Sequence, residues 1–316
     1  MTHMKKYFIA AFALIVFNQC QKIEKIENAG TITPKIVANC ILTDSSYFFI
    51  NVTKSLSALD NAPIKPIKTA KVEVFDSKGN SEVLAYNPAV LAYEGTKMRA
   101  VQGETYKVVI SAKGFETVTM ETAMPKEVKI TNTKFKIQGL TRQYVNFGAG
   151  DDYYIYFQSG KLSVTFQDDP NEENYYILTL EEYWEGSGGK RLGGVMWDCK
   201  FPGVESAYDP YTGTEYKYYF KDGVFNGKSI QLDFTTPESN GGGYNYAGNS
   251  QDSVVGYFVK LNHVSPDLSK HWLTVDKAKL AGSNPFEEPV QIYSNVKNGY
   301  GILGGKTQSS AYVSFR

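Results

Sequence analysis

The sequence predicts a mostly β protein: an N-terminal immunoglobulin-like β-sandwich, then a larger β-rich domain with one short helix near the C-terminal end. Three observations predict it. Runs of strand length alternate with turn residues every ~8–12 positions between residues 35 and 124, the spacing of a sandwich of short strands. Aromatics make up 14% of the chain, with 23 Tyr among them, and these residues favour pleated, half-buried surfaces. A helical period appears in one segment, just after residue 265.

The strands follow in order. Ile36 to Leu42 and Tyr47 to Val52 are apolar runs of strand length. Leu59 to Pro66 carries two prolines and reads as a loop. Ala70 to Phe75 alternates, with Val72 and Val74 on one face and Lys71 and Glu73 on the other. Asp76-Ser77-Lys78-Gly79 is a turn, and Ser81 to Tyr86 returns as its partner strand. Met98 to Val101 and Thr105 to Ser111 are expected to form a second hairpin around Gln102-Gly103. Gly114-Phe115 then turns the chain into Glu116 to Thr122. Residues 35–124 thus make the sandwich, and Met124-Pro125 opens the domain of residues 125–316.

In that second part, Leu162 to Gln167, Tyr175 to Trp184, Ser229 to Thr235 and Val254 to Val264 read as strands. Ser265-Pro266-Asp267 reads as an N-cap, a proline at the first helical position and an acidic first turn. A helix is expected over 266–280, stopped by Gly282, with Leu268, Trp272, Val275 and Lys279 near one stripe. Val290 to Ser294 and Ala311 to Phe315 close the chain as strands.

The first residues bear on the compartment. Lys5 and Lys6 precede Tyr7 to Phe17, an uncharged and mostly apolar run of eleven residues. That is too short for a spanning helix, which needs ~20 residues, and suits the apolar core of a signal peptide. Polar Asn18 and Gln19 follow, then Cys20, where bacterial lipoproteins are cut and acylated. Residues 1–19 are therefore read as the leader, and residues 20–34 as a lipidated cysteine with a flexible tether. The alternative is an ordinary secretory leader with a chance cysteine. An oxidising compartment would permit a bridge between Cys40 and Cys199, although both sit in strand-like runs where buried free thiols are common.

Composition excludes one class of partner. Lys+Arg and Asp+Glu both count 33, so the basic excess of a nucleic-acid binder is missing.

A family resemblance rests on several stretches taken in order. They are Ile36-Val37-Ala38-Asn39-Cys40-Ile41-Leu42-Thr43, Ala70 to Asp76 with Gly79, and Gly103-Glu104-Thr105-Tyr106-Lys107-Val108. Further on come Phe166-Gln167-Asp168-Asp169-Pro170, Asn174-Tyr175-Tyr176, Asn284-Pro285-Phe286-Glu287-Glu288-Pro289, Ser294-Asn295-Val296 and Gly299-Tyr300-Gly301. The chain resembles a Bacteroidetes outer-membrane lipoprotein family known as a domain of unknown function (DUF number four-two-four-nine). The resemblance implies a non-enzymatic lipoprotein encoded beside a TonB-dependent β-barrel receptor, as accessory subunit of an uptake or envelope complex. It implies no catalytic residues and no cofactor. Phe17-Asn18-Gln19-Cys20 departs from the strict lipobox, and looser boxes are common in such lipoproteins. Gln21-Lys22-Ile23-Glu24 only partly matches the export signal of surface lipoproteins, so the periplasmic and surface faces both stay open.

Candidate chemistry is sparse. His263 and His271 fall short of the three or four ligands a zinc site needs, and a surface or capping role is expected for them. Asp168, Asp169, Asn171 and Glu172 could offer oxygens to calcium, but the turn lacks EF-hand spacing and reads equally as a solvated hairpin bend. A Gly-x-Ser-x-Gly elbow does not occur. Gly304-Gly305-Lys306-Thr307 has Tyr300 where a phosphate loop needs its first glycine. Tyr208, Tyr211, Tyr244 and Tyr246 lie among Gly, Asn, Asp and Pro and are the candidate ligand-binding residues, for a glycan or a peptide. Packing back over their own loops is the alternative. The functional expectations are thus an accessory lipoprotein, a stand-alone surface binder, or a secreted hydrolase.

Overall fold

The computed structural model describes residues 33–57, 60, 62–146, 152–186, 189–194, 197–208, 216–235, 245–246, 253–282 and 286–314. The chain divides into a body, Pro34–Ser55 with Pro63–Arg316, and a second unit, Met1–Thr33 with Leu56–Ala62. In the second unit, Ala62 N–H donates to Asp60 Oδ1 at 2.9 Å.

The body is mostly β, with one helix near the C-terminus. Its first seven strands are β1 (Ile36–Thr43), β2 (Tyr47–Lys54), β3 (Lys71–Asp76), β4 (Ser81–Asn87), β5 (Ala92–Arg99), β6 (Thr105–Ser111) and β7 (Val118–Ala123). Strict alternation decides which side chains go inside. β1 buries Ile36, Ala38, Cys40 and Leu42, and β2 buries Phe48, Ile50 and Val52. These pack in one core with Val72 and Val74 of β3, Tyr106, Val108 and Ile110 of β6, and Val118 and Met120 of β7. Full burial of a large apolar side chain contributes roughly 1.5–3 kcal/mol, so this core is the main stabiliser of the N-terminal part. At the β3–β4 turn, Asp76 Oδ1 accepts the Lys78 and Asn80 N–H groups at 3.0 and 2.8 Å, and Gly79 supplies a φ of +87°.

One expected hairpin is corrected. β5 pairs with β2 and β4, whereas β6 pairs with β3 and β7. The residues between β5 and β6 carry the chain across instead of folding it back. Ala100 N–H donates to Ser46 O and Val101 N–H to the Tyr106 hydroxyl, at 2.9 and 2.8 Å. Alternation reports which face is buried, not which strand lies alongside.

The later strands are β8 (Ile130–Asn146), β9 (Asp152–Gln167), β10 (Tyr175–Gly186), β11 (Gly189–Gly194), β12 (Asp198–Cys199), β13 (Glu205–Tyr208), β14 (Tyr216–Lys221), β15 (Ser229–Thr235), β16 (Asn245–Tyr246), β17 (Ser253–Val264) and β18 (Tyr300–Ser314). The helix α1 is Pro266–Gly282, two residues beyond the expected end. The large sheet runs β13-β14-β10-β17-β18-β1-β2-β5-β4-β3-β6-β7, with β11 on β10. It is mixed, because β18 pairs parallel to β1 and antiparallel to β17. The smaller sheet runs β12-β15-β9-β16, with β8 on β9. A second core fills the space between the two sheets, built from Leu162, Val164, Phe166, Tyr176, Leu178, Tyr218, Leu232, Phe234, Val259 and Leu261 among others.

β18 begins eleven residues before the expected Ala311, and Val290 to Ser294 is not a strand. Glycines at 301, 304 and 305 punctuate the sequence like a turn, yet they mark close approaches inside a strand. A Cβ at Gly304 would come within 2.6 Å of Leu268 Cβ in α1. Both described cysteines are free thiols, so the possible bridge is not formed. Cys40 belongs to the first core and Cys199 packs against the second, and burial pushes the Cys40 thiol up to about 12.

Candidate functional site

The side of the large sheet facing away from the second core carries a third, smaller core beneath α1. Ile177, Tyr219, Val264 and Ile302 meet Leu268 there, with Trp272 and Leu273 packed against them. The start of α1 is tied to β18: Ser265 N–H donates to Gly305 O at 2.9 Å, and Gly305 N–H donates to Ser265 Oγ at 3.2 Å. Ser265 O accepts the first helical bond, from Ser269 N–H.

Strand register lines up the outward residues in rows. Tyr219, Ile177, Asn262 and Gln308 form one row across β14, β10, β17 and β18. Lys217, Thr179, Lys260 and Ser310 form the next. Where these rows emerge from beneath α1 there is a pocket of about 420 Å³. Its floor is Ile177, Thr179 and Asn262, its wall is Trp272, and Lys217, Lys260, Lys306 and Gln308 complete the lining. The volume is that of a small-molecule site.

Electrostatics give the pocket its character. Lys217 Nζ lies 3.3 Å from Asp276 Oδ2, which also accepts the Tyr219 hydroxyl at 2.6 Å. Lys260 Nζ lies 2.6 Å from Glu181 Oε1. The Lys217 and Lys306 ammonium groups stand 6.0 and 5.7 Å from the Trp272 ring centre, within cation–π range. Lys217 and Lys260 thus each face a carboxylate. Asn262 donates through Nδ2 to Ile177 O at 3.2 Å, but its buried Oδ1 has no hydrogen-bond partner. An unmet buried acceptor costs ~1–3 kcal/mol. The lining presents ammonium, amide and indole groups to the pocket. Asp276 and Glu181 are held by lysines as counter-ions.

None of the candidate site residues singled out from sequence is among the described residues that line this pocket. Tyr208 ends β13 opposite Tyr216, and Tyr246 lies in β16 opposite Ile155. Tyr211, Tyr244 and Cys20 lie outside the described residues. Asp168 is buried and accepts the Tyr176 hydroxyl at 2.5 Å and Gly227 N–H at 2.7 Å. Asp169 caps its own turn by accepting Asn171 N–H at 3.0 Å, and those bonds hold its carboxyl below the usual range. Asn171 and Glu172 are exposed. Among the described residues no three His, Cys, Asp or Glu side chains come together to hold a metal.

The pocket residues escaped the sequence reading, although a signal existed. Lys217, Lys260 and Lys306 each occupy a strand position that alternation turns away from the second core. Nothing in the sequence says that these three strands are neighbours, since register is a long-range property.

His263 departs from the expected surface position. His263 is buried on β17, its ring tilted against Tyr176 with centroids 5.2 Å apart, and its Nδ1–H donates to Lys126 O at 2.7 Å. His271 donates from Nδ1 to Tyr293 O at 2.6 Å. Burial holds the His263 pKa below the ordinary 6.5. The unfolded chain therefore takes up a proton there before the folded one does. Stability should fall as pH drops below about 6.5, until the folded residue titrates as well. The urea midpoint should drop from about pH 7.5 to about pH 5.5, and His263→Gln should lose less over that interval. Equal losses would remove His263 as a cause.

The fold and the site together define a mixed-sheet β protein with a helix-walled, lysine-lined pocket. The family described as a domain of unknown function (DUF4249) matches residues 23–311, and the chain belongs to it. No curated protein and no solved structure matches the chain.

Proposed function

We propose that this protein is a non-enzymatic, lipid-anchored subunit of the outer membrane, accessory to a TonB-dependent receptor or a related envelope uptake complex. The observation that carries the proposal is Cys20, three residues after the end of the Tyr7–Phe17 apolar run and ahead of the first strand in the sequence. Acyl chains on that cysteine would hold the body at the bilayer surface, each buried CH₂ contributing ~0.8 kcal/mol. Among the described residues no helix is long and apolar enough to cross a membrane. The DUF4249 match supports the resemblance on which the receptor partnership rests.

Cys20→Ser should move the protein from the detergent phase to the aqueous phase in a phase-partition assay of whole-cell lysate. The native chain, extracted in mild detergent, should bring a β-barrel receptor with it. A serine variant that stays with the membrane would overturn the anchor. Extraction without any β-barrel partner would overturn the accessory role. The lysine-lined pocket favours a second reading, a stand-alone surface binder, in which the body captures a ligand without a receptor.

A further inference from the structure

The loop after α1 carries the most exposed large apolar side chain among the described residues: Phe286, 95% exposed. One exposed apolar residue alone decides nothing, because such residues are scattered over every surface. The setting of Phe286 adds to it. Glu287, Glu288 and Pro289 follow directly and are exposed, and Ile292 is 48% exposed. Residues 286–292 hold two carboxylates and no cation, and among the described residues neither carboxylate has an ion-pair partner. Among the described residues nothing bonds to the backbone of residues 287–292 either, so the body does not fold over this stretch. The chain is fastened down immediately after it. Tyr293 N–H donates to Thr274 Oγ1 at 2.9 Å, its carbonyl accepts His271 Nδ1–H at 2.6 Å, and its hydroxyl donates to Asp267 Oδ1 at 2.5 Å. Asn295 then bonds both ways with Leu303 of β18, at 2.8 and 3.0 Å. Pro289 fixes its own φ, which leaves less backbone freedom to lose on binding.

We propose that residues 286–292 are the docking segment of this subunit: Phe286 enters an apolar socket on the partner protein, and Glu287 and Glu288 meet cations on the socket's rim. A phenyl ring in water contributes nothing to folding, and its apolar area becomes favourable only when a second surface covers it. The two neighbouring carboxylates choose the kind of surface. Anionic lipid headgroups repel them, so a membrane is a poor cover. A protein surface with cations around an apolar centre attracts them and takes the ring. The anchoring of Tyr293 and Asn295 to α1 and β18 ties the segment to the body, so capture of Phe286 captures the whole subunit. This inference rests on the reading of the chain as an accessory subunit of a β-barrel receptor, and it names the surface through which the two would meet.

The test uses the full chain in its own cells. A benzophenone amino acid replaces Phe286 or, as control, Val83, which is 58% exposed on β4. On irradiation, position 286 should cross-link to the β-barrel receptor and position 83 should not. In parallel, the receptor recovered with the chain in mild detergent is measured. Phe286→Ala should lower it by about 30-fold. Glu287→Lys together with Glu288→Lys should lower it by about tenfold, and Val83→Ala should leave it unchanged. Thermal melts of each variant should match the native chain, since the altered side chains stand in solvent. Equal recovery of the receptor with native chain and Phe286→Ala would show that the segment is wrong while the accessory subunit stands. A cross-link from position 286 only to lipid, or only to a second copy of this chain, would overturn the segment as well. If no β-barrel receptor is recovered, but position 286 cross-links to another envelope protein and the double lysine change abolishes that product, the accessory role fails and the docking segment stands. No receptor and no cross-link would overturn both.

Discussion

Gly301→Val should destabilise the body by about 3 kcal/mol or more in urea unfolding. Gly301 has a φ of +116°, in the region L side chains rarely adopt. It sits opposite Ala38 where β18 runs parallel to β1. A Cβ added there would fall 2.0 Å from Ala38 O and 2.9 Å from Asn39 Oδ1. The first of these is backbone and cannot rotate away, so the strands must part or shift register. Gly114→Ala is the natural control. Its φ is +86° and its Cβ would meet open space, so backbone strain alone should cost about 1 kcal/mol. If Gly301→Ala cost no more than Gly114→Ala, the pairing of β1 with β18 would be wrong. That pairing matters because it continues the large sheet from the N-terminal strands into β17 and β10, which floor the pocket.

Asp168→Ala should cost about 3 kcal/mol, the second large effect. Asp168 is 1% exposed, and its two oxygens accept the Tyr176 hydroxyl and Gly227 N–H. Truncation leaves the fully buried Tyr176 hydroxyl and a turn N–H without their acceptor. It also frees the Gly227 turn, which packs on Pro170 so closely that a Cβ at 227 would lie 2.7 Å from it. Asp168→Asn, which keeps one acceptor oxygen, should cost about 1 kcal/mol. The same measurement tests calcium. A cation bound by Asp168, Asp169, Asn171 and Glu172 would raise the unfolding midpoint with concentration. With both Asp168 oxygens engaged by protein donors, millimolar calcium should leave the midpoint unchanged.

How much of this was visible beforehand varies by element. β1, β3 and β17 were legible because one buried face imposes alternation or a dense apolar run, and that is a local property. The helix after Ser265 was legible from Pro266, Asp267 and the change of period. β18 was half missed, because its glycines at 301, 304 and 305 look like punctuation when the chains that press on them are not yet known. The hairpin expected around Gln102-Gly103 failed for a related reason. A turn can be recognised locally, but the partner of the next strand is chosen by cores formed from distant segments.

The site divides along the same line. Local chemistry, written in neighbouring residues, established the β class, the apolar run ahead of Cys20, the balanced charge and the membership of a family whose model matches residues 23–311. The pocket could not be written that way. Lys217, Lys260, Trp272 and Lys306 come from β14, β17, α1 and β18, and long-range strand pairing together with the seating of α1 against Gly304 and Gly305 brought them to one face. Periodicity says which way a side chain points, while backbone hydrogen bonding between remote segments says what it meets.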